Sequence, residues 1–149
     1  MMQLGYKLSQ PSRDEPIRFA TATIVDLRYR VALGDVILKA GDVDLSAPWG
    51  WIPLIDFVVG VRDLVRSLKT DGSEADFEFT ESDALLRFRR KASKLVISSS
   101  YASGEAVVPI STVIEHLKKF EADLRAELLT RHPDLQRNAH FRRLMQVIE

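Results

Sequence analysis

The chain has 149 residues, 46% hydrophobic and 28% charged, which suits one ordinary soluble domain and is too apolar for a disordered one. Its 21 basic residues balance its 21 acidic ones, so nucleic-acid binding driven by overall charge is excluded and only a local patch could serve. The absence of cysteine excludes disulfides, thiolate metal sites and cysteine nucleophiles.

Residues 1–16 mix polar residues with Pro11 and Pro16 and read as an irregular lead-in, with a few strand residues at Leu4 to Leu8. No uninterrupted apolar run follows the first methionine, so no signal peptide is expected. From Ile17 to Leu33 one parity holds Phe19, Val25, Leu27, Tyr29 and Val31, while the other holds Arg18, Asp26, Arg28 and Arg30. That alternation predicts a strand with one buried face and, given its length, a bulge near Asp26. Gly34-Asp35 suits a hairpin turn folding the chain back, and Gly41-Asp42 a second turn.

The most apolar stretch runs from Trp49 to Lys69. Proline is tolerated in a helix only near its first turn, so Pro53 predicts a helix beginning about Ile52. Leu54, Phe57, Val58, Val61, Leu64, Val65 and Leu68 recur at three- and four-residue steps and form one stripe. Ile52, Ile55 and Val59 widen the apolar face in the first half, so the helix should be buried nearly all round at its start. Thr70-Asp71-Gly72-Ser73 ends it near Lys69. The apolar run is interrupted by Asp56 and is shorter than the roughly 20 residues a bilayer needs, so no membrane partner is expected and a cytoplasmic protein is the default. Trp49 and Trp51, separated by Gly50, are expected to diverge, one toward the core and one partly exposed.

Three short alternating segments follow and predict a β-meander with Phe77, Phe79, Leu86, Phe88, Leu95 and Ile97 on one greasy face. A run of acids from Asp71 to Asp83 precedes a run of bases, Arg87, Arg89, Arg90, Lys91 and Lys94. A turn at Ser82-Asp83 would set Glu78 opposite Arg87 and Asp76 opposite Arg89. Cross-strand pairing explains the charge switch more simply than a cation site beside an RNA platform, because such platforms carry aromatics on the binding face. Thr112 with Glu115 fits a capping box for a helix striped by Val113, Leu117, Phe120, Leu124 and Leu128. His132-Pro133 ends that helix, and Asn138 caps a last one carrying Phe141, Leu144, Met145 and Ile148. The whole reads as one α+β domain over 1–149, an antiparallel sheet in the order ββ-α-βββ-α-α with helices packed on one face.

Catalytic motifs are not found. There is no two-histidine zinc motif, phosphate loop, dinucleotide fingerprint or nucleophile elbow, so no catalytic, cofactor or metal residue is assigned and no cofactor is expected. Asp42-Val43-Asp44 resembles a two-carboxylate metal cradle but lacks the further ligands of a calcium loop. His116, His132 and His140 read as surface residues. His132 sits at a helix C-terminus, where a cation suits the dipole, and with His140, Arg137, Arg142 and Arg143 it could form a small basic tip.

The segment from Gly34 to Trp51 sets Asp35, Asp42 and Asp44 against Lys39 alone and ends in an aromatic. Asp35, Asp42, Asp44 and Trp49 are the candidate partner-binding residues, suited to a basic protein such as the nucleic-acid-binding face of a nuclease toxin. The run Trp49-Gly-Trp-Ile-Pro to Phe57, with Phe79-Thr-Glu-Ser-Asp and Leu86-Arg-Phe-Arg, resembles short uncharacterised bacterial α+β proteins suspected to include immunity proteins. The resemblance implies a non-enzymatic binding protein, most concretely an immunity protein or antitoxin occluding a cognate toxin. Competing classes are a small enzyme with a pocket between sheet and helices, and a nucleic-acid-binding domain using the basic strand. An exposed meander edge would offer a seam for a homodimer.

Overall fold

The chain forms two four-stranded antiparallel sheets, and its helices pack against them in an α+β arrangement. The structure, a computed structural model, describes residues 2–9, 18–80 and 82–145. In chain order the elements are β1 (Met2–Leu8), α1 (Ile24–Tyr29), β2 (Leu33–Ala40), β3 (Val43–Asp44), β4 (Ala47–Pro53), α2 (Leu54–Ser67), β5 (Glu74–Glu78), β6 (Leu85–Lys91), β7 (Lys94–Ser99), β8 (Ala106–Pro109), α3 (Ile110–Arg131), a 3₁₀ turn (Pro133–Arg137) and α4 (Ala139–Leu144).

Helix α2 is the hub. Leu54, Ile55, Phe57, Val58 and Val59 are all buried, as expected of a helix start enclosed all round, and Val61, Val65 and Leu68 continue the stripe. It touches β2 and β4 of the first sheet, β5 of the second, and both α1 and α3. Gly60 permits the closest approach: a Cβ there would lie 2.9 Å from the Phe77 ring. Helix α3 also spans both sheets, touching β1 and β8, through the buried stripe Val113, Leu117, Phe120, Leu124 and Leu128. One continuous core results, joining both sheets to the helices. Among the described residues no helix is long and apolar enough to cross a membrane.

The second sheet contains the expected three-stranded meander, β5-β6-β7, and adds a fourth strand, β8, that was not expected. All six residues assigned to its greasy face are buried: Phe77, Phe79, Leu86, Phe88, Leu95 and Ile97. Its first register differs by two residues from the expected one: Asp76 pairs with Arg87 and Phe77 with Leu86. The connection is longer than a two-residue turn, since the Phe79 N–H donates to Ala84 O at 3.0 Å. An even shift keeps every side chain on its face, so burial was right although the partners were not. The charge switch is a cross-strand ion pair: Arg87 Nε and Nη2 donate to the two Asp76 oxygens at 2.8 and 3.0 Å.

The first sheet departs most from the sequence reading. The supposed lead-in contains β1, which pairs along its whole length with β2, from Met2 opposite Ala40 to Leu8 opposite Gly34. Residues 10–17 lie outside the described residues. Over residues 18–32 the long alternation is not a strand. It holds α1, started by Thr23, whose Oγ1 accepts the Asp26 N–H at 3.2 Å. The parity was accidental: Val25 is 62% exposed and Tyr29 36%, while only Leu27 is fully buried. Gly34-Asp35 lies inside β2 and makes no turn, whereas Gly41-Asp42 does turn, with Gly41 at φ +58°. Gly34 is required there by contact, since a Cβ would collide with the Lys7 carbonyl of β1. Helix α2 starts two residues later than expected because Ile52 and Pro53 are still paired to Gly34 and Leu33. The Thr112–Glu115 capping box does not form: α3 already begins at Ile110 after Pro109, and its N-cap makes no side-chain bond.

Asn138 caps α4 as expected, its Oδ1 accepting from the His140 and Phe141 N–H groups. Its Nδ2 also donates to Phe19 O and Ala22 O, both at 2.9 Å. This buried amide thus satisfies both ends of its dipole and ties α4 to the segment before α1.

Candidate partner-binding surface

The surface begins with a fault in the first sheet. Across β2, Lys39 faces Asp44 and Val36 faces Ala47, one register; Gly34 faces Ile52 and Leu33 faces Pro53, a register three residues displaced. The surplus residues of β4 bulge opposite Asp35, and Gly50 at φ +80° takes the left-handed conformation this needs. Pro48 supplies no N–H, so pairing is already broken at the fault. Side chains take over the lost backbone bonds. Ser9 Oγ donates to Gly50 O at 2.7 Å, the Leu38 N–H donates to Ser46 Oγ at 3.0 Å, and Tyr101 OH donates to Leu45 O at 2.7 Å.

Trp49 and Trp51 do not diverge. They stack at 5.4 Å with planes 19° apart, because i and i+2 in a strand share a face. Trp49 is half-buried, and its indole meets the Phe79 ring at 5.2 Å and the Tyr101 ring at 4.9 Å, both edge-on. Phe79 in turn stacks on Phe57 of α2. Trp51 caps this column and is 41% exposed. A rigid indole pair is thus held at the surface by an aromatic chain rooted in the core.

The four candidate residues fall differently around it. Asp44 and Trp49 meet at Tyr101, whose hydroxyl pKa is raised by burial and by the Asp44 charge. Asp44 is exposed and its pKa is held low, chiefly by its bonds from Ser46, so it is a fixed anion. Asp42 stands exposed at the hairpin tip. Asp35 is half-buried on the parity of β2 opposite the core, beside Gly50, and so is set apart from the indole stack. Trp51 and Tyr101 were missing from the candidate set. The signal for Trp51 was present: two tryptophans at i and i+2 in a strand must share a side.

The remaining polar groups form support. Arg28 Nη2 lies 2.7 Å from Asp56 Oδ1, and Thr80 Oγ1 donates to Oδ2, joining α1 and the connection after β5 to the start of α2. Burial opposes the Arg28 charge, but the bond and charge of Asp56 outweigh it and raise its pKa. Glu121 is almost fully enclosed and accepts from Arg62 Nη1 at 2.7 Å. Burial raises its pKa against the pull of Arg62, Arg66 and Arg125. Its contribution to stability is therefore greatest at acid pH and declines as pH rises past the ordinary glutamate range. His132 is not the expected cation. Its ring lies flat on Phe19 at 3.9 Å, and burial followed by Arg131 lowers its pKa, which favours the neutral form. His116 bonds within its own helix, Nδ1 donating to Thr112 O at 2.8 Å.

Among the described residues no three His, Asp or Glu side chains converge as metal ligands would. A groove of about 340 Å³ runs between β8 and the ends of β1 and β2, and among the described residues Glu105 is its only ionisable lining residue. No family model, curated protein or solved structure matches the chain.

Proposed function

We propose that this chain is a protein-binding module that blocks a partner protein, in the manner of an immunity protein or antitoxin acting in the cytoplasm, and that it docks through the Trp49–Trp51 stack with Asp42 and Asp44 at its rim. The observation carrying this reading is Trp51, 41% exposed yet braced from beneath by Trp49. An exposed tryptophan that is already ordered loses little conformational freedom on binding, which is what an interface anchor needs. The two exposed aspartates favour a basic partner, such as the substrate-binding face of a nuclease, by raising the rate of encounter.

The test is capture of a partner from the native host, followed by titration of the partner's own activity. Inhibition should saturate at one chain per partner. A variant with Asp42, Asp44 and Trp51 all changed to alanine should bind at least about 30-fold more weakly. A variant with His116, His132 and His140 changed to alanine should inhibit as wild type does. Unchanged binding in the first variant would exclude this surface, and histidine-dependent turnover of a small molecule would exclude the binding-protein reading altogether.

A further inference from the structure

A second cleft lies between α2 and α3, lined by Arg62, Val65 and Arg66 from one helix and Ile114, Leu117, Lys118 and Glu121 from the other. It shares no residue with the indole surface. Helical spacing explains its composition: Arg62 and Arg66 are one turn apart, as are Ile114 and Lys118, and Leu117 and Glu121, so these side chains line facing edges.

Three cations there meet one carboxylate. Glu121 is engaged by Arg62, whose Nη1 also donates to Leu144 O at 3.2 Å and whose Nε donates to Asp63 at 3.3 Å. Arg62 is therefore held by three bonds and serves as a wall. Arg66 and Lys118 are both exposed, and among the described residues neither has a side-chain hydrogen bond or ion pair. Both cations stand at the mouth, Arg66 also acting through space on the Glu121 carboxylate. The floor between them is apolar: Val65 and Leu117 are buried, and Ile114 at the lip is 37% exposed. The cleft holds about 40 Å³, room for roughly three water-sized spheres. That admits a short hydrocarbon stem, with a carboxylate left at the mouth beside Arg66 and Lys118.

We propose that this cleft binds an organic carboxylate on a short apolar stem, Arg66 and Lys118 holding the charge while Ile114, Val65 and Leu117 receive the stem. Such a group is supplied either by a free small acid or by the C-terminus of a peptide ending in an aliphatic residue; both present the same atoms. The exposed cations and the apolar floor are individually ordinary on a protein surface, and it is their convergence in one cleft that selects an amphiphilic anion.

The experiment is methyl NMR on the intact chain, titrated with 4-methylpentanoate, with the neutral 4-methylpentanol, and with inorganic phosphate. The carboxylate should shift the Ile114, Val65 and Leu117 methyl signals saturably, and the alcohol and phosphate should bind at least tenfold more weakly. Arg66→Ala with Lys118→Ala should weaken the carboxylate at least tenfold. Both side chains are exposed, so folding should be preserved, and Arg66→Lys with Lys118→Arg should retain binding. A leucine-terminated tripeptide compared with its C-terminal amide separates the two sources: tighter binding of the free-acid peptide than of 4-methylpentanoate assigns the site to chain ends, and the reverse order assigns it to small acids. No saturable shift with either carboxylate, equal binding of the alcohol or phosphate, or equal binding by the double alanine variant would overturn the proposal. None of these results depends on the indole surface.

Discussion

The two sheets are built on different economies. In the second, β5 to β8 follow one another with uninterrupted registers after each turn, and the face toward the helices is filled by Phe77, Leu86, Phe88, Leu95 and Ile97. Its polar face is ordinary surface, with Arg87 paired to Asp76. In the first sheet, β2 is paired on one side by β1 and on the other by β3 and β4 in turn, with a displaced register between them. Ser9, Ser46 and Tyr101 satisfy backbone groups that the ladder leaves open. The regular sheet buries its aromatics. The faulted one brings Trp51 out to the surface on a half-buried Trp49. Interrupting a ladder sacrifices backbone bonds, and here the exchange gives a rigid exposed indole that a regular strand would have turned into the core or left unsupported.

If the contrast holds, damage to the regular sheet should act through apolar packing. Phe88 is 2% exposed at its centre, and Phe88→Ala should cost about 3–5 kcal/mol in denaturant unfolding. A loss below about 1 kcal/mol would mean that the meander is not the stable half. The faulted sheet should instead be sensitive where backbone approaches backbone. Gly34→Ala places a methyl against the Lys7 carbonyl and the Leu54 side chain and should cost about 2–3 kcal/mol, with amide exchange accelerated in β1 before it is in β6. Gly50→Ala sets its methyl in ordinary contact, 3.6 Å from Ser9 Oγ, so only the left-handed backbone is strained. About 1 kcal/mol is expected, together with a change in tryptophan near-UV circular dichroism as the stack reorients. Smallest of all should be Asp76→Ala. The pair it breaks is solvent-exposed, so the melting temperature should shift by no more than about 2 °C, and less in 1 M salt.

The same contrast decided what the sequence could show. The meander announces itself because alternation, turn residues and charge complementarity coincide, and an error of two in register leaves burial untouched. Helix α2 is equally plain, since its stripe is long and bounded by Pro53 and a turn cluster. In residues 18–33 the alternation satisfied the strand template but had no partner constraint, and a six-residue helix capped by Thr23 was hidden in it. Strand β1 was obscured by Gly5 and its polar neighbours, because an edge strand needs only one apolar face. Asp42 and Asp44 were legible as exposed acids, being turn and edge residues. The shared side of Trp49 and Trp51 was legible from their spacing, but the exposure of Trp51 was not, because it depends on a bulge whose register is set by Gly34 and Pro53 across the sheet.

The most direct test of the proposed surface is calorimetric binding of Trp51→Ala to the captured partner, measured beside the variant's melting temperature. Trp51 is the exposed cap of the aromatic column, so its removal should leave the melting temperature nearly unchanged. Affinity should fall at least about 30-fold. An affinity within about threefold of wild type, with the fold intact, would contradict the assignment of the indole stack as the docking anchor.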